Sequence, residues 1–341
     1  MKQLGVVDIA REAGVSTATV SRVLNGSDRV SAATRSRVLE VIERRGFQPN
    51  IAASNLRRGR NPAIGLAVAS ISQPWYAKLI RATRSAITAR GYTTLIYDLE
   101  HSTEVLLEHI ESARRLRLSG MILATGDRLD QPRVRRALEE LTELVPLVVI
   151  GQPLENSDWT TLLFDDAGAS EAATRELLER RHRPVLFLGS PQKSFLSELR
   201  LEGVRRALQD YPDLERASTM QHLSLESTMN FLAGYNDAAS RARTLRDYGL
   251  VFCVNDEIAL GVCRAAGEMG LRIPEDLMVL GYGDSDFLPY VTPSISSLSS
   301  DVGPVANDAL EAIMARMSGE PTETLRVYSR HIVHRESTAI A

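Results

Sequence analysis

The sequence predicts two parts: an all-α helix-turn-helix head, and an α/β core of two lobes that are each built on a doubly wound parallel sheet. Three short helical stretches occupy the first 48 residues. After residue 63, short apolar strands bounded by glycine or proline alternate with helical stretches, which is typical of parallel sheets covered on both faces. Residues 64–341 are long for one such sheet, so we expect two lobes with a cleft between them.

Charge is distributed unevenly along the 341 residues. The whole chain has 40 Lys and Arg against 43 Asp and Glu, for a net charge of −3. Residues 1–60 hold 11 basic and 5 acidic side chains, whereas the remaining residues hold 29 and 38. A basic head on an acidic body predicts a polyanion-binding module attached to a body that avoids polyanions.

Composition and motifs narrow the class of protein. No apolar run is long enough to span a membrane and MKQLGVVDIAREAG has no apolar signal region, so a cytoplasmic protein is expected. Cys253 and Cys263 have neither metal-site nor disulfide spacing, and we expect both to be buried and reduced. The chain has no Gly-rich dinucleotide or phosphate loop after a strand and no Gly-x-Ser-x-Gly elbow, so no enzyme, cofactor or metal is predicted.

The first two helices of the head are separated by a short turn. A helical run over 6–13 meets a turn in which Ser16 is a good N-cap for the next helix, which starts at Thr17. The inner face of that second helix has the spacing i, i+3, i+4. It consists of Val20, Val23 and Leu24.

A third helix and a short linker complete the N-terminal region. Ser31 is the predicted cap of the third helix, which runs up to Gly46 with Val38, Val41 and Ile42 on its inner face. Residues 1–48 are therefore assigned to the head. Residues 49–61 form a hinge helix and linker that is too short to be stable alone and ends at Pro62.

Eight strands are expected in the core. They cover 64–70, 93–98, 120–125, 146–151, 161–164, 184–190, 250–255 and 277–283. Residues 292–300 lack a helical pattern and are expected to carry the chain between the lobes. We assign 62–160 with 293–323 to the N-terminal lobe, and 161–292 with 324–341 to the C-terminal lobe.

The outer face of the second helix has side chains suited to DNA. Arg22 can contact guanine O6 and N7 in the major groove, and Thr17 and Ala18 are small enough for close approach and contact with a thymine methyl. The remaining candidates are polar residues that can donate to phosphates. They are Ser16, Thr19, Ser21 and Asn25. Charge and periodicity alone leave open an ordinary helical hairpin with a solvated face.

Three segments resemble the LacI/GalR family of bacterial repressors. The run DIAREAGVSTATVSRVLNGSDRVSAATRSRVLEVIERRGFQPN matches the family head, including its V-S-x-x-T-V-S-R-V core at residues 15–23. PNIAASNL resembles the hinge helix, and R-E-S-T at residues 335–338 resembles the signature that closes the family's chains. The resemblance covers essentially the whole chain and implies a core like that of periplasmic sugar-binding proteins.

The resemblance implies how the hinge acts on DNA. Paired hinge helices enter the minor groove of a pseudo-palindromic operator, and a leucine from each subunit kinks the duplex; Leu56 matches that leucine. Ala53 matches the small residue at the groove floor, and Asn50 lies beside the backbone. A homodimer is implied, and the absence of a leucine heptad after the last strand favours a dimer over a tetramer. An inert tether is the alternative.

The resemblance also implies that the cleft holds a small effector, often a sugar, sugar derivative or purine, and we expect a sugar, a sugar acid or a related metabolite here. Arg200 matches the arginine that binds effector hydroxyls or a carboxylate, and Asn255 matches an asparagine at the cleft, whereas Asp256 would cap the next helix. The full predicted set is Gln73, Trp75, Tyr76, Thr125, Arg200, Asn255 and Asp284.

Two departures from the family pattern and several alternatives remain open at this stage. Gly283 stands where members often have an aspartate, and Gly151-Gln152 stands where many have Asp-Arg, so no relative's ligand is copied. Trp75 could pack at the lobe edge rather than stack on a sugar, and Arg200 could form a surface salt bridge. A sugar-transport protein and an enzyme that uses the cleft are the rival functions.

Overall fold

The computed structural model describes residues 6–24, 30–45, 61–223 and 231–339, without the side chains of Val6, Ser21 and Leu24. The chain divides into two compact units, residues 1–60 and residues 61–341. Each unit is described by itself below.

The N-terminal unit contains three helices around a small apolar core. They are α1 (Val6–Glu12), α2 (Thr17–Leu24) and α3 (Ala32–Arg45). The cap prediction is confirmed, because the Ser16 hydroxyl accepts from the Thr19 backbone N–H at 3.1 Å and Ser31 does the same for Thr34. Val20 is fully buried and packs with Ile9 of α1 and the α3 valines, so the predicted inner faces meet.

The second unit contains two six-stranded sheets. In the first sheet the strands are β1 (Asn61–Val68), β2 (Thr93–Asp98), β3 (Leu118–Thr125), β4 (Leu147–Gly151), β5 (Thr160–Phe164) and β11 (Leu325–Tyr328). Their order is β11-β5-β4-β3-β1-β2, and all five pairings are parallel. The long stretches between these strands form α4 (Pro74–Ala89), α5 (Thr103–Leu116) and α6 (Pro132–Thr142).

The second sheet repeats this plan in the C-terminal lobe. Its strands are β6 (Val185–Gly189), β7 (Thr219–His222), β8 (Leu250–Cys253), β9 (Met278–Tyr282), β10 (Ser296–Ser299) and β12 (His331–Val333). Their order is β12-β10-β9-β8-β6-β7, and only β12 is antiparallel. The helices are α7 (Asp166–Arg180), α8 (Phe195–Leu208), α9 (Pro212–Ala217), α10 (Phe231–Ser240), α11 (Asp256–Glu268) and α12 (Val302–Ser318). Of these, α12 packs on the first sheet, where Ile313 and Val305 join its core.

The chain crosses between the lobes three times, at places that correct the predicted lobe boundaries. Strand β5 pairs with β4, so the first crossing follows Phe164 rather than residue 160. Strand β10 belongs to the second sheet, so the return to the first lobe follows Ser299 rather than residue 292. Strand β11 pairs with β5, which moves the last crossing from residue 323 to between Tyr328 and His331. These strands are short, and nothing in their local sequence says which sheet they join.

The R-E-S-T segment, residues 335–338, is hydrogen-bonded to the second sheet. The Ser337 hydroxyl donates to the Val279 carbonyl at 2.6 Å and accepts from the Ser296 N–H at 2.8 Å. The Arg335 guanidinium donates to the Ile295 carbonyl at 2.8 Å. Ser337 is fully buried, so this signature has a structural role at the back of β9 and β10.

Candidate functional site

The outer face of α2 presents the predicted DNA contacts to solvent. Thr17, Ala18 and Arg22 are exposed. Ser16 and Thr19 are engaged with each other, because their hydroxyl oxygens lie 2.9 Å apart and Ser16 caps the helix. The side chain of Ser21, and Asn25, Asn50, Ala53 and Leu56 as a whole, lie outside the described residues.

A cleft in the second unit opens at the carboxyl ends of the strands of both sheets. This is where parallel α/β sheets place their ligands, because the loops that follow the strands converge there. The cleft has a volume of about 710 Å³ including its open mouth.

Five of the seven predicted effector contacts line this cleft. They are Gln73, Trp75, Tyr76, Arg200 and Asn255. Trp75 forms edge contacts with the rings of Tyr76 and Phe164, and its indole N–H is buried without a hydrogen-bond partner. Its ring therefore both packs in the first lobe and borders the cleft.

Thr125 and Asp284 do not line the cleft. The Thr125 hydroxyl donates to Asp127 at 2.9 Å, so it supports a residue that is in the cleft. The Asp284 carboxylate instead accepts from Arg335 at 2.6 Å, and its own backbone adopts a left-handed φ of 52°. Gly283 stands at the position where the family often has the aspartate, and the Asp284 carboxylate that follows it is directed to Arg335 near the end of the chain.

Asn255 lies at the cleft as predicted, but the helix-capping role predicted for Asp256 also belongs to Asn255. The Asn255 side chain caps α11 by accepting from the Ile258 N–H at 2.9 Å. Asp256 is fully buried and accepts from the Ser285 backbone and hydroxyl and from the Ser297 hydroxyl, all at 2.7 Å. Asp256 therefore holds the loops behind the cleft together, while Asn255 caps the helix and borders the cleft.

Gly151 and Gln152, the second departure from the family pattern, are structural. A Cβ at Gly151 would lie 2.2 Å from the Thr125 carbonyl oxygen, and its φ of +137° is one that L side chains rarely adopt. Gln152 is buried, and its side-chain oxygen accepts from the Leu129 N–H at 2.7 Å. Neither residue lines the cleft.

Arg200 is held rigidly on the C-terminal side of the cleft. Its Nε donates to Asp166 Oδ1 at 2.8 Å, its Nη1 donates to the Val254 carbonyl at 2.5 Å, and its guanidinium lies 3.8 Å from the centre of the Tyr282 ring. The predicted alternative of a surface salt bridge is wrong, because the Asp166 partner is fully buried.

Sequence reasoning missed Asp166 and Arg330, which complete this cluster. Arg330 lies on the third crossing, is 2% exposed, and contacts the rings of Phe164 and Tyr282 at 4.2 and 4.9 Å. Burial opposes ionisation of Asp166, but Arg330 and Arg200 outweigh it and hold the pKa of that carboxyl below its ordinary value. A polar residue on a crossing between lobes has no periodic pattern, so no local signal identifies it.

A second polar cluster on the N-terminal side was also missed. His101 Nδ1 lies 2.9 Å from Asp127, and its Nε2 lies 3.1 Å from the Gln73 amide. Burial disfavours the charged imidazolium, but the hydrogen bond to Asp127 and its charge outweigh burial and raise the His101 pKa. Gln73, His101 and Asp127 all line the cleft.

Glu257 brings a further carboxyl group to the cleft from the first turn of α11. It is 6% exposed. Burial raises its pKa to about 7, and the neighbouring Asp256 carboxylate adds to that rise. Near neutral pH this group can either donate or accept a hydrogen bond.

Direct contacts join the lobes at the rim of the cleft. The Phe195 N–H of the C-terminal lobe donates to the Gly126 carbonyl of the N-terminal lobe at 2.8 Å. On another side, Lys78 of α4 forms an ion pair with Asp286 at 2.9 Å. Arg128 likewise pairs with Glu198 across the lobes. In this structure, hydrogen bonds and ion pairs therefore join the two lobes at these places.

Two kinds of feature are absent from the part of the chain that the structure describes: a cluster of metal-binding side chains and a membrane-spanning helix. No group of three or more His, Cys, Asp or Glu side chains within it could hold a metal ion. None of its helices is long and apolar enough to cross a membrane. Cys253 and Cys263 are buried and unpaired, as predicted.

Comparison with known proteins gives matches at both ends of the chain. Residues 6–50 match the model "Bacterial regulatory proteins, lacI family", and residues 174–338 match "Periplasmic binding protein-like domain". The ribose operon repressor of Haemophilus influenzae is 27% identical over 319 residues, which are 94% of this chain and 93% of that protein.

Solved structures extend the likeness to the whole fold. The complex of the transcriptional regulator CelR with cellobiose has a TM-score of 0.70 at 27% identity, and the match covers 98% of this chain and 99% of that one. The lac repressor dimer bound to operator and the anti-inducer ONPF has a TM-score of 0.77 at 22% identity, with 99% and 100% coverage. The predicted architecture of a helix-turn-helix head and a two-lobed α/β core is therefore confirmed.

Proposed function

This chain belongs to the LacI family of bacterial regulatory proteins, and we propose that it is a repressor whose operator binding is switched by a small effector in the cleft. The observation that carries this proposal is that a match to the family's DNA-binding head over residues 6–50 is combined with an open cleft, lined by polar and aromatic side chains, in the second unit. The effector class is a sugar or sugar derivative, since relatives in this family include a ribose operon repressor and a regulator solved with cellobiose.

The head is proposed to read DNA through the exposed face of α2. Arg22 supplies the guanidinium that can contact guanine, while Thr17 and Ala18 leave room for the base edges. Two heads in a homodimer then read a pseudo-palindromic site with half-sites about ten base pairs apart, as dimeric helix-turn-helix proteins do. The hinge assigned to Asn50, Ala53 and Leu56 remains part of this proposal.

The chain is proposed to bind its effector without converting it. At the cleft, the Ser285 hydroxyl donates to the buried Asp256 carboxylate, whereas the His101 imidazole is engaged by Asp127 and Gln73, so these groups do not form a serine–histidine pair. Incubating full-length protein with D-ribose or cellobiose and recovering each sugar chemically unchanged supports this, whereas turnover would show an enzyme. As a DNA regulator it would work in the cytoplasm, where the chromosome is.

Selection of DNA duplexes from a random pool with the full-length chain tests the DNA proposal. We expect enrichment of a pseudo-palindromic site, and Arg22→Ala should relax base preference at one position in each half-site at a cost of about 1–3 kcal/mol. Arg37→Ala is the matched control, because Arg37 is an exposed arginine of the same head on α3. An enriched site with no symmetry, or equal preferences for wild type and Arg22→Ala, would contradict the assignment.

The switch is tested by thermodynamic linkage. If an effector prefers one arrangement of the lobes, operator DNA must change effector affinity by the same factor that the effector changes DNA affinity. Titration of the full-length chain with the bound sugar, with and without operator, measures both factors. Equal effector affinity in the two titrations would exclude the mechanism.

A further inference from the structure

The most unusual feature of the cleft is that two buried guanidinium groups share one carboxylate. Asp166 Oδ1 accepts from Arg200 Nε at 2.8 Å, and Arg330 Nε lies 3.6 Å from the same oxygen, too far for a hydrogen bond. Arg200 is 13% exposed, Arg330 is 2% exposed and Asp166 is fully buried. Two positive charges and one negative charge leave this cluster with a formal surplus of one positive charge.

The three members of the cluster come from places where the chain passes between the lobes or borders the cleft. Asp166 follows the first crossing directly, and Arg330 lies on the third. Arg330 Nη1 also donates to the hydroxyl of Ser300, which lies on the second crossing, at 2.9 Å. The Arg330 side chain therefore contacts residues at or beside all three crossings.

Two polar atoms of the cluster formed by Arg200, Asp166 and Arg330 form no hydrogen bond. Arg330 Nε and Asp166 Oδ2 are both buried and have no hydrogen-bond partner. The faces of the guanidinium groups are covered by Tyr282 and Phe164, so further partners must approach from the edges. Buried polar groups that stay unpaired are costly, and here their needs differ: Arg330 Nε needs an acceptor, such as a ligand carboxylate, whereas Asp166 Oδ2 needs a donor, such as a ligand hydroxyl group.

The other carboxyl groups of the cleft do not neutralise the surplus. Asp127 is engaged by His101 and by the Thr125 hydroxyl. Glu257 has its pKa raised by burial, and no cation acts on it to lower that value. Neither of these carboxyl groups is ion-paired with Arg200 or Arg330 in the structure.

We infer that the effector carries a carboxylate, bound between Arg200 and Arg330, so that the effector class is a sugar acid or related polyhydroxy acid. This rests on the proposed function, since it specifies the ligand of the same cleft. A single negative charge balances the surplus, whereas a phosphate monoester, with close to two negative charges, would reverse it. The planar fork of a guanidinium also matches a carboxylate edge to edge.

The remainder of the cleft suits the rest of such a ligand. Glu257 and the Gln73 amide can hydrogen-bond hydroxyl groups, and the Trp75 ring can cover an apolar sugar face. A carboxylate bound to Arg330 would also contact the side chain that links the three crossings. Binding there would therefore favour one lobe arrangement over another, as a switch requires.

Matched pairs of ligands test the inference with the unmodified full-length chain. Thermal shift and calorimetric titration would compare D-glucuronate with D-glucose, D-galacturonate with D-galactose, and D-gluconate with D-glucitol, with D-glucose 6-phosphate as the phosphate arm. We expect at least one acid to bind ten-fold or more tightly than its neutral partner. Neutral sugars that bind as well as or better than their acids, tighter binding of the phosphate, or binding by none of the acids would overturn the inference.

A variant series locates the carboxylate. Arg330→Met should weaken the acid at least ten-fold while changing the affinity of the neutral partner by less than three-fold, and Arg330→Lys should fall between, because it keeps the charge but loses the fork. Arg335→Met is the matched control, since Arg335 lies in the same segment but is paired one to one with Asp284. Equal losses for acid and neutral ligand in Arg330→Met would show a purely structural role and overturn the assignment.

These outcomes separate the inference from the function on which it rests. If neutral sugars bind and loosen operator binding while the acids do not, the repressor function stands and the ligand class is wrong. If no ligand of either kind alters operator binding, the effector switch itself fails.

Discussion

The raised pKa of Glu257 makes the stability of the core depend on pH in a defined direction. A carboxyl group whose pKa is higher in the folded than in the unfolded state binds more protons when folded, so stability falls as pH rises. Burial raises the Glu257 pKa from 4.5 to about 7. Since one pKa unit corresponds to about 1.4 kcal/mol, ionising this group costs about 3 kcal/mol, of which about 2.5 kcal/mol accrues between pH 5 and pH 8.

Glu257→Gln removes this titration while keeping the shape of the side chain. The free energy of unfolding, measured by urea denaturation, should rise for the variant relative to wild type by about 2.5 kcal/mol between pH 5 and pH 8. Glu268→Gln, on the same helix, is the control. Its hydrogen bond from Tyr235 and its contact with Arg264 hold the Glu268 pKa below its ordinary value, so its difference from wild type should stay flat over this range. A flat difference for Glu257→Gln as well would refute the reasoning.

Three further predictions concern packing and hydrogen bonds. Gly120→Ala should destabilise the core by about 1–3 kcal/mol, because its Cβ would lie 2.5 Å from Ile313 Cγ2, and Ile313→Ala, which removes that methyl group, should cost less in the Gly120→Ala background than in wild type in urea denaturation. Ser337→Ala leaves the buried Ser296 N–H without an acceptor and should cost about 1–3 kcal/mol by the same measurement; an unchanged midpoint would contradict it. Val20→Ala opens a cavity in the head and should weaken operator binding while leaving the ranking of operator variants intact; a changed ranking would mean that Val20 affects base reading.

The sequence predicted most of the fold because its signals are local. Capping serines at Ser16 and Ser31 and the apolar spacing of Val20 and Val23 mark the helices of the head without reference to the rest of the chain. The eight apolar strands were found for the same reason. The four strands that were not assigned, β7, β10, β11 and β12, are only three or four residues long, and β11 and β12 lie at sheet edges with exposed positions.

The cleft was predicted less completely because its chemistry depends on non-local pairing. Trp75 was identified because it follows the first strand, and Arg200 because it matches an arginine of the family. Asp166 and Arg330 are 164 positions apart in the chain, and their meeting depends on where the chain crosses between lobes, which no local pattern encodes. Asp284 was assigned from its neighbourhood in the sequence, but the backbone turn that follows Gly283 directs it to Arg335.

The triple crossing has a consequence for building hybrid regulators. A segment that spans one lobe cannot be exchanged through a single pair of junctions, because each lobe is assembled from pieces that lie far apart in the gene. The stretch 174–338 that matches a recognised domain, for example, carries α12 and β11 of the neighbouring sheet with it. The boundary between the two compact units, by contrast, falls at a single place in the sequence, near residue 60. We therefore expect recombination at that boundary to give functional chimaeras that have the operator specificity of one parent and the effector specificity of the other. Recombination within the core should succeed only between parents whose sheets can replace each other strand by strand.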